Sequence, residues 1–215
     1  MRAVLVSGGL TDAAFAMAYI KERKPDVLGA VDSGMEFFKR ASLRPDWIIG
    51  DFDSVLEETL SYFESQKGIF WLRLIPKKDD TDTEAAIRKM IALGVDEIEI
   101  LGATGSRLDH VFGNVELLGI GLEENVSMTL VDQHNRIRMI DHSLCIRKEE
   151  QFGDYVSLIP FTPVVKDVTL RGFEYPLHHF DMVCYNSLGV SNQIIEEEAW
   201  IEFREGVLLV FETRD

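Results

Sequence analysis

The sequence predicts an α/β protein: an N-terminal, mostly parallel, Rossmann-like α/β domain followed by a C-terminal antiparallel β-sandwich. Three observations predict it. Over the first 130 or so residues, short aliphatic or β-branched runs alternate with longer amphipathic segments, the pattern of a parallel sheet with helices on both faces. Beyond about Ile140 no segment holds a helical period, and short runs are separated by Gly, Pro and Asn, as in an all-β unit. Finally, acidic residues recur where the N-terminal runs end.

In chain order, strands are expected at 3–7, 27–31, 47–49, 70–75, 97–101 and 127–131, and helices at 12–22, 35–41, 56–66, 82–93 and 110–123. The helix expected at 82 opens on Thr81 and Glu84 at capping-box spacing, and its apolar positions Ala86, Ile87, Met90 and Ile91 should face the sheet. Further strands are expected at 155–159, 164–170, 199–203 and 207–211. With no low-complexity linker and no repeat, the domains are expected to span 1–142 and 143–215.

Composition narrows the function. The chain has 215 residues, 46% hydrophobic and 27% charged, enough apolar material for a core. No run of roughly 18 apolar residues suggests a membrane span, and the apolar part of the N-terminus is too short for a secretory signal. Two cysteines, Cys145 and Cys184, suit a reduced cytoplasmic setting. A net charge of −15 would repel a nucleic-acid backbone, so no nucleic-acid partner is expected. Polyphosphate binding stays open, because carboxylates can hold a divalent metal that faces the phosphates.

Ligands of an open parallel sheet bind beyond the carboxyl ends of its strands. Here Asp32 follows strand two, Asp51 and Asp53 strand three, Asp79, Asp80 and Asp82 strand four, Asp109 strand five and Asp132 strand six. Any one of these fits a loop or helix cap. Several converging on one edge would repel one another unless a cation sits among them, and oxygen-only ligands select Mg²⁺ or a similar hard ion.

Within Gly50-Asp51-Phe52-Asp53-Ser54, Asp-x-Asp can send both carboxylates to one ion while Phe52 turns into the core. Lys77 and Lys78 precede the acidic cluster and could face phosphate oxygens. The loop Leu101-Gly102-Ala103-Thr104-Gly105-Ser106-Arg107-Leu108-Asp109-His110 has two glycines before a helix N-terminus, which suits a phosphate, although its spacing is neither the dinucleotide fingerprint nor the Walker loop. His110 is expected as a capping or core histidine. These features also fit metal-dependent nucleotide transferases or hydrolases, or a silent nucleotide sensor.

Three segments together resemble thiamine pyrophosphokinases: residues 45–54, residues 78–85, and residues 101–110 with Asn114. The similarity continues through Leu158-Ile159-Pro160, residues 172–177, Ser191-Asn192 and residues 206–210. This chain reads Asp32-Ser33-Gly34 where the family commonly has Asp-Gly-Gly. The resemblance implies diphosphoryl transfer from ATP to thiamine, an α/β nucleotide domain, a thiamine-binding and dimerising β-sandwich, and a homodimer with active sites between subunits. It implies Mg²⁺ on Asp51, Asp53 and Asp82, and ATP contacts from Asp32, Gly102, Thr104, Gly105, Arg107 and Asp109. Catalytic roles would fall to Asp82, Asp109, Arg107 and Lys78, with Ser191 and Asn192 near thiamine.

Overall fold

Aliphatic runs too apolar to face water on either side form the centre of the first unit. The computed structural model describes residues 1–75 and 80–215, and the chain divides into two units, Met1–Gln133 and His134–Asp215. Lys77, Lys78 and Asp79 lie outside the described residues.

The first unit holds β1 (Arg2–Val6), α1 (Ala13–Arg23), β2 (Val27–Val31), α2 (Met35–Arg40), β3 (Trp47–Gly50), α3 (Glu57–Glu64), β4 (Phe70–Arg73), α4 (Asp82–Ala92), β5 (Glu97–Leu101), α5 (Leu108–Glu124) and β6 (Ser127–Val131). Its strands lie in the order β4-β3-β2-β1-β5-β6, with parallel pairing throughout. In β1, Ala3, Val4, Leu5 and Val6 are wholly buried, as expected where helices cover both faces. Each such Leu or Val contributes about 1.5–3 kcal/mol relative to exposure. Ala86, Ile87 and Met90 of α4 are also fully buried and face inward as the spacing predicts, whereas Ile91 is only half-buried.

Caps set the helix limits. Asp12 accepts a hydrogen bond from the Phe15 N–H (2.7 Å), making it the cap of α1 rather than its first residue. Thr81 accepts from the Glu84 N–H (3.2 Å), but the Glu84 carboxylate pairs with Arg88, so only half of the capping box forms.

The second unit is a pair of antiparallel sheets. One layer runs β7 (Asn135–Ile140), β13 (Leu208–Thr213) and β9 (Tyr155–Pro160); the other runs β11 (Leu177–Val183), β10 (Val164–Arg171), β12 (Glu198–Glu202) and β8 (Leu144–Arg147). Val156, Leu158, Val165, Val168, Leu170, Ile201 and Val210 are among the residues of their shared core. The division at Gln133/His134 precedes the expected 142 because β7 pairs with β13 along six residues and so belongs to the sandwich.

Candidate active site

The strand order fixes where a ligand can lie. The chain proceeds from β1 outward to β4 and then crosses back to β5 on the other side of β1, so the loops after β1 and β5 diverge at a topological switch point. Those loops are joined by backbone bonds: the N–H groups of Ser7, Gly9 and Leu10 donate to the carbonyls of Leu101, Gly102 and Thr104, each at 2.8 Å. Close approach requires glycine at 102. Its φ is +66°, and a Cβ there would lie 2.3 Å from the Ser7 carbonyl oxygen. Asn114 of α5 donates to the Ala103 carbonyl (2.7 Å) and Thr104 to Asp132 (2.8 Å), which pins the same loop from the other side.

A cleft of about 1280 Å³ opens at this edge, lined from β1, β2, β3, α4 and the β5–α5 loop. Of the expected site residues, Asp32, Asp51, Asp53, Asp82, Gly102, Thr104, Gly105, Arg107 and Asp109 all line it. The expected Lys78 falls outside the described residues. The first turns of α4 and α5 both border the cleft, so the positive ends of their dipoles favour an anion there.

Among the described residues, Asp32, Asp51 and Asp53 bring one carboxylate oxygen each within 4.8 Å of one another. Asp82 lines the cleft outside this group. Asp32 enters it through a left-handed backbone (φ 46°) after β2, and its Oδ2 accepts from the Ser54 hydroxyl. Its Oδ1 is buried and has no hydrogen-bond partner among the described residues. An unpartnered anionic oxygen is costly to bury, and a hard divalent cation coordinated by oxygens would relieve both that cost and the mutual repulsion. The donor set therefore fits Mg²⁺.

The Asp51–Asp53 segment is a tight turn, not a continuation of β3. The Asp53 N–H donates to Asp51 Oδ1 (3.2 Å), and Phe52 between them is left-handed (φ 66°) with its side chain buried. A left-handed bulky residue costs about 1–3 kcal/mol, to be offset by its packing.

Arg107 and Asp109 form an ion pair (2.6 Å) on the exposed rim. The hydrogen bond from Arg107 holds the Asp109 carboxyl below its ordinary pKa, and the same bond raises that of Arg107. His110 is exposed in the first turn of α5 and is neither a core residue nor the cap, which is Arg107.

In the second unit, the 187–192 segment runs along the outer edge of β9. Val156 and Asn192 exchange backbone bonds (2.8 and 3.0 Å), and the Leu158 N–H donates to the Gly189 carbonyl (2.8 Å). Asn192 is buried, and its side-chain amide is engaged inside the unit: Oδ1 accepts from the Tyr175 and Gln193 N–H groups (3.0 and 2.9 Å), and Nδ2 donates to the Tyr175 carbonyl (2.8 Å). Ser191 beside it is exposed and left-handed (φ 61°), its N–H donating to Ser157 Oγ (2.9 Å).

Comparison with known families accounts for both units. Residues 11–130 match the model of the thiamin pyrophosphokinase catalytic domain, and residues 141–208 that of the thiamin pyrophosphokinase vitamin B1 binding domain. The chain belongs to the thiamin pyrophosphokinase family. A thiamine pyrophosphokinase of Bacillus subtilis (strain 168) is 31% identical over 185 residues, 86% of this chain and 86% of its own length. The crystal structure of the Bacillus subtilis thiamine pyrophosphokinase is similar with a TM-score of 0.90 at 29% identity, over 100% of both chains. That of Geobacillus thermodenitrificans has a TM-score of 0.86 at 29% identity, covering 100% of this chain and 98% of its own.

Several residues of the family fold near the cleft were not singled out from sequence. Ser54 ends the Asp-x-Asp motif without a signal of its own, yet its hydroxyl donates to Asp32. Ser7 and Thr83 share a hydroxyl contact (3.0 Å) that ties the β1 loop to α4. Isolated Ser and Thr carry no spacing signal, so only the sheet order could reveal them.

Proposed function

We propose that this family member transfers a diphosphoryl group from ATP to the hydroxyl of thiamine, giving thiamine diphosphate and AMP. The observation that carries the reading is the convergence of Asp32, Asp51 and Asp53 at the carboxyl edge of a parallel sheet, beside a glycine-containing loop and a helix N-terminus. Mg²⁺, held by these three carboxylates, would neutralise the triphosphate and orient it for in-line attack.

The chain's own groups supply the rest. Arg107 on the rim is a fixed cation for charge that grows as the phosphoanhydride bond breaks, and the β5–α5 loop with the α5 N-terminus cradles the phosphates. The proton of the thiamine hydroxyl is assigned to a carboxylate of the cleft, Asp82 at the head of α4 or Asp109 beside Arg107. Lys78 is assigned to the same phosphates from its place in the sequence beside the acidic cluster.

Ser191 is assigned to thiamine, with Asn192 fixing the loop that presents it. Asn192→Ala leaves two backbone N–H groups and a carbonyl without their present partner, a cost of about 1–3 kcal/mol. The expected result is a KM for thiamine raised about tenfold, with the KM for ATP little changed. A rise in the ATP KM alone would remove this loop from the thiamine site.

The protein is proposed to act as a homodimer in the cytoplasm. Tyr175, Tyr185, Leu188, Val190 and Ile195 of the second unit are all exposed, apolar surface suited to a partner. Cys145 and Cys184 are free, which suits a reducing compartment. Among the described residues no helix is long and apolar enough to cross a membrane. Light scattering tests the oligomer.

The reaction is tested by incubating the protein with ATP, Mg²⁺ and thiamine and separating the products. AMP appearing one for one with thiamine diphosphate is the expected result. ADP with thiamine monophosphate would mean attack at the γ-phosphorus, and no product would favour a silent sensor.

A further inference from the structure

The geometry points to Trp71 as a positioning residue for the metal-binding turn, acting through Phe52. The inference rests on the metal reading of the three carboxylates above, and its test separates the two.

An extended segment would set the Cα atoms of Asp51 and Asp53 about 6.6 Å apart, at roughly 3.3 Å per residue. Instead the chain turns at Phe52, so that the Asp53 N–H reaches Asp51 Oδ1 (3.2 Å) and both carboxylates come within 4.8 Å of Asp32. That turn depends on a left-handed phenylalanine (φ 66°). Such a conformation persists only where the surroundings over-determine it.

The surroundings that hold Phe52 come from β4. Its ring is 8% exposed and stands edge-on to Trp71, with centroids 5.5 Å apart and planes at 78°. The guanidinium of Arg73 lies 5.4 Å from the Phe52 centroid and 4.9 Å from that of Trp71. Arg73 is itself fixed by Glu64 (2.6 Å). Trp71 and Arg73 are two apart on β4, opposite Ile48 and Gly50 of β3, and so flank the point where the chain leaves β3 for the turn. Together Trp71 and Arg73 favour, through Phe52, the backbone that aims Asp51 and Asp53.

Without the Trp71 ring, Phe52 can relax toward an unstrained backbone, and only the fraction of molecules still turned can accept the ion. The apparent dissociation constant rises as the inverse of that fraction.

The test is a Mn²⁺ titration of the intact protein read by electron paramagnetic resonance, with thermal melting alongside. Trp71→Leu, which keeps apolar bulk but removes the ring, is expected to weaken Mn²⁺ about tenfold, a turned fraction of about one tenth. Trp71→Phe keeps an aromatic edge and is expected to stay within about twofold of the parent. Arg73→Met, at an exposed site, is expected to weaken Mn²⁺ about threefold and keeps the idea testable should Trp71→Leu not fold. Asp51→Asn is the control. If it loses Mn²⁺ while Trp71→Leu, or Arg73→Met in its place, binds like the parent, the positioning role is overturned and the metal reading stands. Equal losses in Trp71→Leu and Trp71→Phe would also overturn it, since bulk packing alone would then explain both. Mn²⁺ binding unaffected by Asp51→Asn would overturn the metal reading itself.

Discussion

Replacing Asp51 by Asn is expected to lower turnover by about 100-fold or more while leaving the melting temperature equal to or above that of the parent. The two halves of this result have one cause. Asp32, Asp51 and Asp53 place three negative charges within 4.8 Å, which opposes folding in the absence of a cation. Asn matches Asp in size and keeps an oxygen to accept from the Asp53 N–H, so the turn survives and the repulsion falls. What is lost is one anionic ligand, together with several kcal/mol of transition-state stabilisation if the ion is needed to neutralise the triphosphate. A Mg²⁺ series of initial rates with a thermal melt checks both halves. Undiminished activity at low Mg²⁺ would remove Asp51 from the metal site, and a large drop in melting temperature would mean that the carboxylate serves folding instead.

The parallel unit was legible because its strands are buried on both faces and read as short aliphatic runs, each observed within a few residues of its expected limits. Three strands of the second unit were not. In β7 the buried residues Ile137, Met139 and Ile140 are interrupted by Arg136 and Arg138, which pair with Glu212, so no continuous aliphatic run marks the strand. Strand β8 is only four residues long, and β11 carries His178, His179 and Asp181 on an exposed, bulged edge. The carboxyl-end rule drew attention to Asp32, Asp51, Asp53, Asp82 and Asp109 before any fold was known. That Asp32 joins Asp51 and Asp53 was beyond sequence, because it depends on β2 lying beside β3 and on a left-handed backbone at a non-glycine residue. The resemblance places Asn192 near thiamine, and in the folded loop its amide is engaged by Tyr175 and Gln193, a hydrogen-bond saturation that is invisible until the loop is folded.

Glu212→Ala is expected to cost about 3–5 kcal/mol, the largest stability loss anticipated for a single residue of the second unit. Glu212 of β13 is fully buried and binds two guanidiniums of β7: Arg136 through Nε (2.9 Å) and Nη2 (2.6 Å), and Arg138 through Nη2 (2.5 Å). It also accepts from the Phe152 N–H (3.1 Å). The register sets Glu212 opposite Arg136, so this cluster joins the two strands directly. Burial pushes the Arg138 guanidinium below its ordinary pKa, against the pull of Glu212. Taking away the carboxylate leaves two neighbouring cations with no counter-charge, and the loss is dominated by that uncompensated burial rather than by the worth of the bonds. The triple replacement Glu212→Leu, Arg136→Met, Arg138→Leu is therefore expected to recover most of the stability lost in the single variant, since an apolar trio of similar volume has no charge to desolvate. Urea unfolding measures both, the midpoint shifting at constant slope if only stability has changed. A single-variant loss of under about 1 kcal/mol would mean that water reaches the two arginines when the carboxylate is gone. A triple variant no more stable than the single one would instead make the ion cluster indispensable to the β7–β13 pairing.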